Sequence, residues 1–204
     1  MIKIIDYGLG NIQAFINVYK RLHIPIEVAS HPDDLQGASK LILPGVGAFD
    51  HAMERLNASG MRPALDSLVQ EEKIPVLGIC VGMQILAKSS EEGVLPGLGW
   101  VDGIVRSFKS FSGLNNLPLP HMGWNDVEPT PGSALFKGFE EDSRFYFLHS
   151  FLFECSDSES MGATSEYGLK FCCAVQNDNV YGVQFHPEKS HHFGVGLLKN
   201  FSEL

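Results

Sequence analysis

The sequence predicts an α/β fold, a doubly wound and mixed but mainly parallel sheet with helices on both faces. Continuous apolar runs alternate with segments whose apolar residues recur at helical spacing through the first half of the chain. That alternation is typical of parallel strands buried between two layers of helices. The second half is richer in strand signals, and no repeat or low-complexity linker divides the chain. We therefore expect one domain spanning residues 1–204.

The first half supplies the strand–helix alternation. Strands are predicted at residues 3–6, 26–28, 41–43 and 74–79, and helices at 12–22, 49–56, 63–70 and 81–87. Asn11 is the predicted cap of the first helix, because its side-chain oxygen can accept an N–H group of the first turn. Pro63 suits the first turn of the third helix, where a missing N–H has no helical partner to lose.

The second half adds strands and a closing helix. Strand signals occur at residues 104–108, 144–153, 172–176 and 180–185, and an amphipathic helix is predicted at 193–201. Glycine turns at residues 8–10, 44–47 and 78–80 each follow a predicted strand. Sites in such sheets lie at the carboxyl ends of the strands. These three loops should therefore share one rim.

Composition and charge exclude several classes of partner. Hydrophobic residues make up 44% of the chain and charged residues 19%, which is typical of a folded globular protein. Its net charge of -9 repels a polyphosphate backbone, so we expect no nucleic-acid partner. No run approaches the roughly 18 apolar residues that a membrane span requires, and the start is not typical of a secretory signal. We expect a cytoplasmic protein with no membrane partner.

Four cysteines occur, and none forms a C-x-x-C pair. The spacing therefore indicates neither a zinc site nor a redox dithiol, and no metal or cofactor is expected. The glycines at residues 8–10 lack the third glycine of a dinucleotide fingerprint and the lysine of a phosphate loop. Cys155, Cys172 and Cys173 are interpreted as small buried hydrophobic residues.

Cys80 has a different setting, because it lies in the pattern Gly78-x-Cys80-x-Gly82 at a predicted strand-to-helix turn. This is the nucleophile-elbow pattern, in which small neighbours allow a strained turn to present the nucleophile. A thiol at a helix N-terminus is favoured as thiolate, and the following N–H, that of Val81, can stabilise an oxyanion. A cysteine simply packed between two glycines is the alternative.

His186 and Glu188 form the second candidate constellation. Pro187 disfavours the α region for His186, so residues two apart project to the same side. A carboxylate at that offset can orient the imidazole and leave its other nitrogen free to accept a thiol proton. Among the eight histidines, we expect His51, His191 and His192 to be solvated. Only the fold can bring His186 close to Cys80, which lies far upstream.

Six segments together resemble a known family. They are residues 6–11 (DYGLGN), 44–49 (PGVGAF), 78–84 (GICVGMQ), 120–125 (PHMGWN), 146–150 (YFLHS) and 182–190 (GVQFHPEKS). The elbow with its distant H-P-E resembles the class I, or triad, glutamine amidotransferases. The finer motifs are similar to those of the glutaminase subunits of imidazole glycerol phosphate synthase, along the whole chain. The resemblance implies a flavodoxin-like sheet.

The resemblance also implies a set of site residues. The implied catalytic triad is Cys80, His186 and Glu188, and the implied oxyanion donors belong to Val46, Gly47 and Val81. The implied glutamine pocket contains Gly47, Gln84, Glu92, His149, Ser150 and Phe151. The implied interface with an obligate TIM-barrel cyclase contains Asn11, Trp124, Asn125, Tyr146 and Lys189. Trp124 and Tyr146 could instead be core aromatics.

In this family the peptide at Val46 can sit flipped until the partner is engaged. Glycines on both sides of Val46 permit such a rearrangement. Loss of one oxyanion donor typically lowers the rate by about 100- to 1,000-fold. We therefore expect the isolated chain to be a poor glutaminase that its partner activates.

Three features depart from the family pattern. Phe151 stands where tyrosine is frequent, the loop 108–117 is long and polar, and residues 190–193 follow a variant of paralogues that work in surface-polysaccharide biosynthesis. The leading interpretation is a glutaminase that feeds formation of imidazole glycerol phosphate and AICAR from PRFAR in histidine biosynthesis. The alternatives are a paralogue that supplies ammonia for sugar amidation, a non-catalytic partner-binding module, and a cysteine hydrolase such as a peptidase.

Overall fold

The computed structural model describes residues 1–114, 116–139 and 143–204. Its strands are β1 Ile2–Ile5, β2 Ile26–Ala29, β3 Lys40–Gly45, β4 Val76–Cys80, β5 Ser89–Ser90, β6 Gly103–Ser107, β7 His121–Asp126, β8 Glu128–Pro129, β9 Arg144–His149, β10 Phe151–Cys155, β11 Met161–Glu166, β12 Lys170–Asn177 and β13 Val180–Val183. Its helices are α1 Ile12–Arg21, α2 Phe49–Ala58, α3 Arg62–Asp66, α4 Val81–Gln84 and α5 His191–Ser202. A π-helical turn at Ser67–Glu71 continues α3.

Within these described residues, eleven strands form one sheet, and β7 pairs with β9 in a second, antiparallel sheet. The main path runs β2-β1-β3-β4-β13-β12-β10-β6-β5, and β11 pairs with both β12 and β8. Neighbours are parallel from β2 to β13, whereas β13, β12, β10 and β6 are successively antiparallel. The predicted mixed sheet is therefore confirmed, and its parallel part has the flavodoxin-like strand order.

Helices cover both faces of the parallel part. The α1 connection leads from β1 to β2 in one direction along the sheet, whereas α2 and α3 lead from β3 to β4 in the other. Right-handed crossovers in opposite directions lie on opposite faces. In agreement, α1 contacts α5, and α2 contacts α4.

The core is built on the central parallel strands. Ile4, Leu41, Ile42 and Leu77 are completely buried. Each such side chain contributes about 1.5–3 kcal/mol through its removal from water. This packing fixes the carboxyl ends of β3 and β4 as a rigid edge. No helix in the described part of the chain combines the length and the apolar character that crossing a membrane requires.

The helix predicted at residues 81–87 is shorter than expected and ends at Gln84. The carbonyl groups of residues 85–87 accept N–H groups from residues 98–101 instead of from a further helical turn. The chain then enters β5, which the sequence did not predict. Local spacing favoured a longer helix, but bonds to a distant loop replace its last turn.

The strand predicted at residues 144–153 is wrong as one element, because it breaks at Ser150. The first part, β9, pairs with β7, whereas β10 pairs with β6 and β12 in the main sheet. One apolar run therefore serves two sheets. The switch between them occurs at the rim that carries the candidate site.

Candidate active site

Cys80 lies at the sharp turn from β4 into α4. Its backbone has φ 57° and ψ −114°, a conformation that is strained for a residue with a Cβ atom. The flanking glycines are explained by crowding. A Cβ atom on Gly78 would lie 2.6 Å from the carbonyl oxygen of Gly82, and one on Gly82 would collide with the carbonyl of Leu43. The turn can therefore form only with small residues on both sides of Cys80.

The Cys80 side chain is nearly buried, with 5% of the residue exposed. Its sulfur lies 4.0 Å from the carbonyl oxygen of Leu148 and 3.9 Å from Nε2 of Gln184. Because α4 has only four residues, it aligns few peptide dipoles toward the sulfur. The main charge partner of the thiol is therefore a side chain, that of His186.

Two features of the fold place His186 near Cys80. They are the pairing of β13 with β4 and the hydrogen bonds of residues 186–190 with β9. The parallel register of β13 and β4 places both chain ends at the same edge. The His186 N–H donates to the carbonyl of Tyr146 at 2.8 Å. Ser190 Oγ donates to the His186 carbonyl at 2.6 Å and accepts the Tyr146 N–H at 3.0 Å. These bonds fix residues 186–190 against β9.

The His186 imidazole hydrogen-bonds Glu188 and lines the same cavity as Cys80. Nδ1 lies 2.8 Å from Oε1 of Glu188, and both side chains are almost fully buried. Burial lowers the pKa of His186, but its interactions with Cys80 and Glu188 outweigh burial and raise the pKa to about 9. These partners therefore favour the protonated form of the ring. The second oxygen of Glu188 is buried without a hydrogen-bond partner among the described residues.

A cavity of about 290 Å³ opens beside the Cys80 sulfur and the His186 ring. All six predicted glutamine-pocket residues line it, namely Gly47, Gln84, Glu92, His149, Ser150 and Phe151. Val46 and Val81, the other predicted oxyanion residues, line it too. The volume lies near the lower end of the range for small-molecule sites. The structure therefore brings Cys80, His186 and the predicted pocket and oxyanion residues around one small space, with Glu188 hydrogen-bonded to His186.

Two polar side chains shape the cavity wall. Gln84 is 3% exposed, and its Nε2 donates to Gln184 Oε1 at 3.0 Å and to the Phe151 carbonyl at 3.5 Å. Glu92 Oε2 accepts the Phe49 N–H at 2.9 Å, at the start of α2. One Glu92 oxygen is thus committed to a helix terminus, while the residue still faces the cavity.

The loop after β3 carries Val46 and Gly47. Gly47 has φ +93°, and space is open around it, whereas a Cβ atom on Gly45 would lie 2.7 Å from the Gly82 nitrogen. The buried Tyr7 hydroxyl donates to the Pro44 carbonyl at 2.7 Å and so holds the base of this loop. Burial, followed by the charge of Cys80, raises the Tyr7 pKa above its usual range. Tyr7 is a site-shaping residue that the sequence analysis missed.

The predicted interface residues separate into two groups. Trp124, Tyr146 and Lys189 form what we call the aromatic cluster. Trp124 is 41% exposed and lies with its ring centroid 6.2 Å from that of Tyr146, whose ring lies 5.8 Å from the Lys189 ammonium. Asn11 accepts the Ala14 N–H as the cap of α1, and Asn125 has internal hydrogen bonds. Within the cluster, Lys189 lines the cavity and Trp124 is exposed.

The remaining histidines and cysteines are placed as follows. His51, His191 and His192 are exposed, and His191 stacks on Trp124 with centroids 5.1 Å apart. Cys172 and Cys173 are buried, whereas Cys155 is half-buried, with its sulfur 3.6 Å from that of Cys172. In the part of the chain that the structure describes, no three His, Cys, Asp or Glu side chains converge as metal ligands would.

His121 and Gln184 are further site residues that the sequence analysis did not assign. His121 lies in β7 with Nδ1 2.9 Å from His149 Nε2, and Gln184 lies between Gln84 and the Cys80 sulfur. The sequence pattern of residues 121–126 indicates the opposite orientation, because the apolar Met122 and Trp124 alternate with His121, whereas the structure exposes both of them and buries His121. Nothing local distinguishes Gln184 from other residues of its strand end.

The chain is similar to known proteins along nearly its whole length. The family model described as "Glutamine amidotransferase class-I" matches residues 3–203. The chain is 70% identical over 204 residues to "Imidazole glycerol phosphate synthase subunit HisH" of Bdellovibrio bacteriovorus, covering 100% of both chains. It is 50% identical to the subunit of the same name from Leptospira borgpetersenii, again over 100% of both chains.

A crystal structure of a glutamine amidotransferase superposes with a TM-score of 0.75 at 21% identity, covering 99% of this chain and 97% of that one. At that identity the likeness supports the fold alone. The family model and the relatives cover nearly the whole chain at high identity. The chain therefore belongs to the class I glutamine amidotransferases and, within them, to the family of imidazole glycerol phosphate synthase subunits HisH.

Proposed function

We propose that this chain is a glutaminase, which hydrolyses glutamine to glutamate and ammonia, with Cys80, His186 and Glu188 as its catalytic triad. The observation that carries the proposal is the placement of Cys80 and His186 beside one cavity of about 290 Å³, with the His186 ring hydrogen-bonded to Glu188. A nucleophile, a base and an orienting carboxylate in this order are what acyl transfer requires.

The first step is attack on the side-chain amide of glutamine. His186 holds the thiol proton, and the Cys80 thiolate forms a bond to the amide carbon while the carbonyl electrons move to oxygen. The resulting oxyanion accepts hydrogen bonds from the Val81 N–H and from the peptide at Val46 and Gly47. Donors aimed at developing charge are typically worth about 100- to 1,000-fold each in rate.

The second step releases ammonia and then glutamate. Protonated His186 donates to the amide nitrogen, the carbon–nitrogen bond breaks, and a thioester remains on Cys80. Water then attacks the thioester while neutral His186 accepts its proton, and glutamate leaves as the thiol is restored. Glu188 stays ionised throughout and holds the imidazole in position.

We propose that the ammonia passes to a TIM-barrel cyclase partner in a heterodimer. The cyclase uses this ammonia to form imidazole glycerol phosphate and AICAR from PRFAR in histidine biosynthesis. The relatives' names, which describe subunits of imidazole glycerol phosphate synthase, support this acceptor over sugar amidation. The aromatic cluster supports a docking face beside the cavity, because Met122 and Leu148 near it are exposed by 65% and 37%.

Three further properties belong to the proposal. We infer that residues 1–204 act as one glutamine amidotransferase domain, which the family match over residues 3–203 supports. We also infer a cytoplasmic setting, because a thiolate nucleophile and four free cysteines suit a reducing compartment. The freedom of Gly47 supports the expectation that the loop at Val46 rearranges when the partner binds.

The test is Cys80→Ala in the complex with the cyclase. Glutamine-dependent synthesis should fall by roughly 10⁴-fold or more, since the nucleophile is lost. Synthesis from added ammonia should be unchanged, because the acceptor site lies on the partner. Cys155→Ala is the matched control and should retain glutamine-dependent synthesis. A Cys80→Ala complex that still uses glutamine would show that Cys80 is not the nucleophile.

The same assay, run with and without the cyclase, tests activation by the partner. The isolated chain should release glutamate from glutamine roughly 100-fold more slowly than the complex, as expected when one oxyanion donor is turned away. Equal rates would remove partner activation from the proposal and leave the triad in place.

A further inference from the structure

A pair of buried histidines lies at the cavity wall. They are His149 at the end of β9, which lines the cavity, and His121 on β7, which contacts His149. His121 Nδ1 lies 2.9 Å from His149 Nε2, and His149 Nδ1 lies 2.7 Å from the carbonyl oxygen of Phe151. Asn125 Nδ2 lies 3.2 Å from His121 Nε2. The residues are only 3% and 6% exposed, so water does not supply their hydrogen bonds. The proposed reaction gives neither imidazole a proton to transfer.

The hydrogen bonds allow only one direction of donation. The Phe151 carbonyl can only accept, so His149 carries its proton on Nδ1. In a neutral ring Nε2 must then accept, so His121 donates from Nδ1. His121 Nε2 accepts in turn from Asn125, whose amide nitrogen also donates to the Glu166 carbonyl at 2.8 Å.

The orientation of the Asn125 amide is fixed independently, because its Oδ1 accepts the Asp126 N–H at 2.9 Å. Every ring nitrogen of the two histidines then has one partner of the correct kind. Protonation of either ring would set two donors against each other. The arrangement therefore holds both imidazoles neutral and in a single tautomer.

The surroundings favour the same neutral state. Burial lowers the pKa of His149 to about 3 and that of His121 to about 4. The charged group that faces His149 from another element is His186, whose positive charge further opposes protonation. The His121 ring is stacked on Tyr167 and on Phe147, with centroids 4.0 and 4.8 Å away.

The Phe151 carbonyl accepts hydrogen bonds from two side chains, those of His149 and Gln84. The same Gln84 amide donates to Gln184 Oε1, which turns the Gln184 nitrogen toward the Cys80 sulfur. His149, Phe151 and Gln84 all line the cavity. The orientation of the Phe151 carbonyl therefore determines the cavity wall at His149 and at Gln84.

The chain at this junction has no continuous strand to support it. Residue 150 is where the backbone leaves the β7–β9 sheet and joins the main sheet. The bond from the His149 side chain to the Phe151 carbonyl spans this break. His121 keeps the His149 ring turned so that Nδ1 faces that carbonyl.

We propose that His121 and His149 are positioning residues for the substrate, whose one-directional hydrogen bonds hold the Phe151 carbonyl and the turn at residues 149–151 in the shape that binds glutamine. This proposal rests on the proposed glutaminase function for its substrate. It assigns His121 a role through His149, without contact with glutamine.

The test compares His121→Phe with His121→Asn in the complex with the cyclase. Phenylalanine keeps the ring that stacks on Tyr167 but leaves His149 Nε2 without its donor. The KM for glutamine should rise roughly tenfold, as expected for one lost buried hydrogen bond, while kcat changes less than about threefold. Asparagine places an amide nitrogen near the position of Nδ1, so His121→Asn should stay within about threefold of the wild-type KM.

A spectroscopic measurement on the unmodified protein is independent of activity. In ¹⁵N-labelled protein, both imidazoles should be neutral Nδ1–H tautomers at pH 7. A protonated ring or an Nε2–H tautomer at either histidine overturns the proposal. This measurement also decides the matter if His121→Phe does not fold.

The kinetic outcomes separate the two proposals. If the wild-type complex fails to use glutamine, the proposed function fails, while the tautomers still test the histidine pair. If the wild type is active and folded His121→Phe has an unchanged KM, the positioning role is overturned. An equal rise in KM for His121→Asn and His121→Phe also overturns it, since a restored donor should rescue binding.

Discussion

Two buried histidines at one rim behave in opposite ways. His186 is 4% exposed and has a pKa raised to about 9, whereas His149 is 6% exposed and has a pKa lowered to about 3. Burial opposes the charged form of both rings. The difference comes from their partners, which are a thiol and a carboxylate for His186 but a carbonyl and a neutral imidazole for His149.

This contrast indicates different roles for the two imidazole rings. A histidine that bonds an acid can hold a proton at neutral pH and give it up during a reaction. A histidine whose nitrogens both have neutral partners keeps a fixed pattern of donors and acceptors. In this molecule His186 suits acid–base chemistry, whereas His149 suits the positioning of the backbone.

The largest expected contrast is between His186→Asn and His149→Asn. His186→Asn removes the proton acceptor and should lower glutaminase kcat/KM by roughly 10⁴-fold or more. His149→Asn leaves an amide donor near the position of Nδ1, within reach of the Phe151 carbonyl, and should change kcat/KM by less than about tenfold. Both are measured in the cyclase complex, with ammonia-dependent synthesis as the control. Equal losses would contradict the division of roles.

A smaller effect is expected from Glu188→Gln. The amide can still accept from His186 Nδ1 but carries no charge to stabilise the imidazolium. The loss in glutaminase kcat/KM should be roughly 100- to 10,000-fold, because the orienting carboxylate of a triad is worth less than its nucleophile or base. A loss as large as that of Cys80→Ala would show that Glu188 does more than orient the ring.

The parallel part of the fold could be predicted because its signals are local. The strands β1, β3 and β4 are rich in apolar residues and lead into turns that contain glycine, and Asn11 caps α1 as expected. The break at Ser150 could not be predicted, because both halves of residues 144–153 are apolar and only their partners differ. The missed strands β7 and β11 form against distant partners that local patterning does not name.

The candidate site divides in the same way. Gly78-x-Cys80-x-Gly82 and the offset of His186 and Glu188 carry their chemistry in short segments, so the triad could be predicted. Tyr7 and His121 act through hydrogen bonds to residues far along the chain, at Pro44 and His149. Their residue types are common in cores, and only the fold reveals what they hold.

The pH dependence of the reaction gives the finest test of the contrast between the two histidines. Protonated His186 must donate to the departing amide nitrogen, and its pKa is about 9. Glutaminase kcat/KM in the complex should therefore fall as pH rises through about 9, by about tenfold for each further pH unit. In Glu188→Gln the fall should begin at lower pH, because the carboxylate no longer raises the pKa of the ring. His149 should add no inflection between pH 6 and 8, since its pKa lies near 3. The profile of ammonia-dependent synthesis corrects for the partner. If kcat/KM fell at the same pH in the wild type and in Glu188→Gln, the fall would not be due to the His186–Glu188 pair.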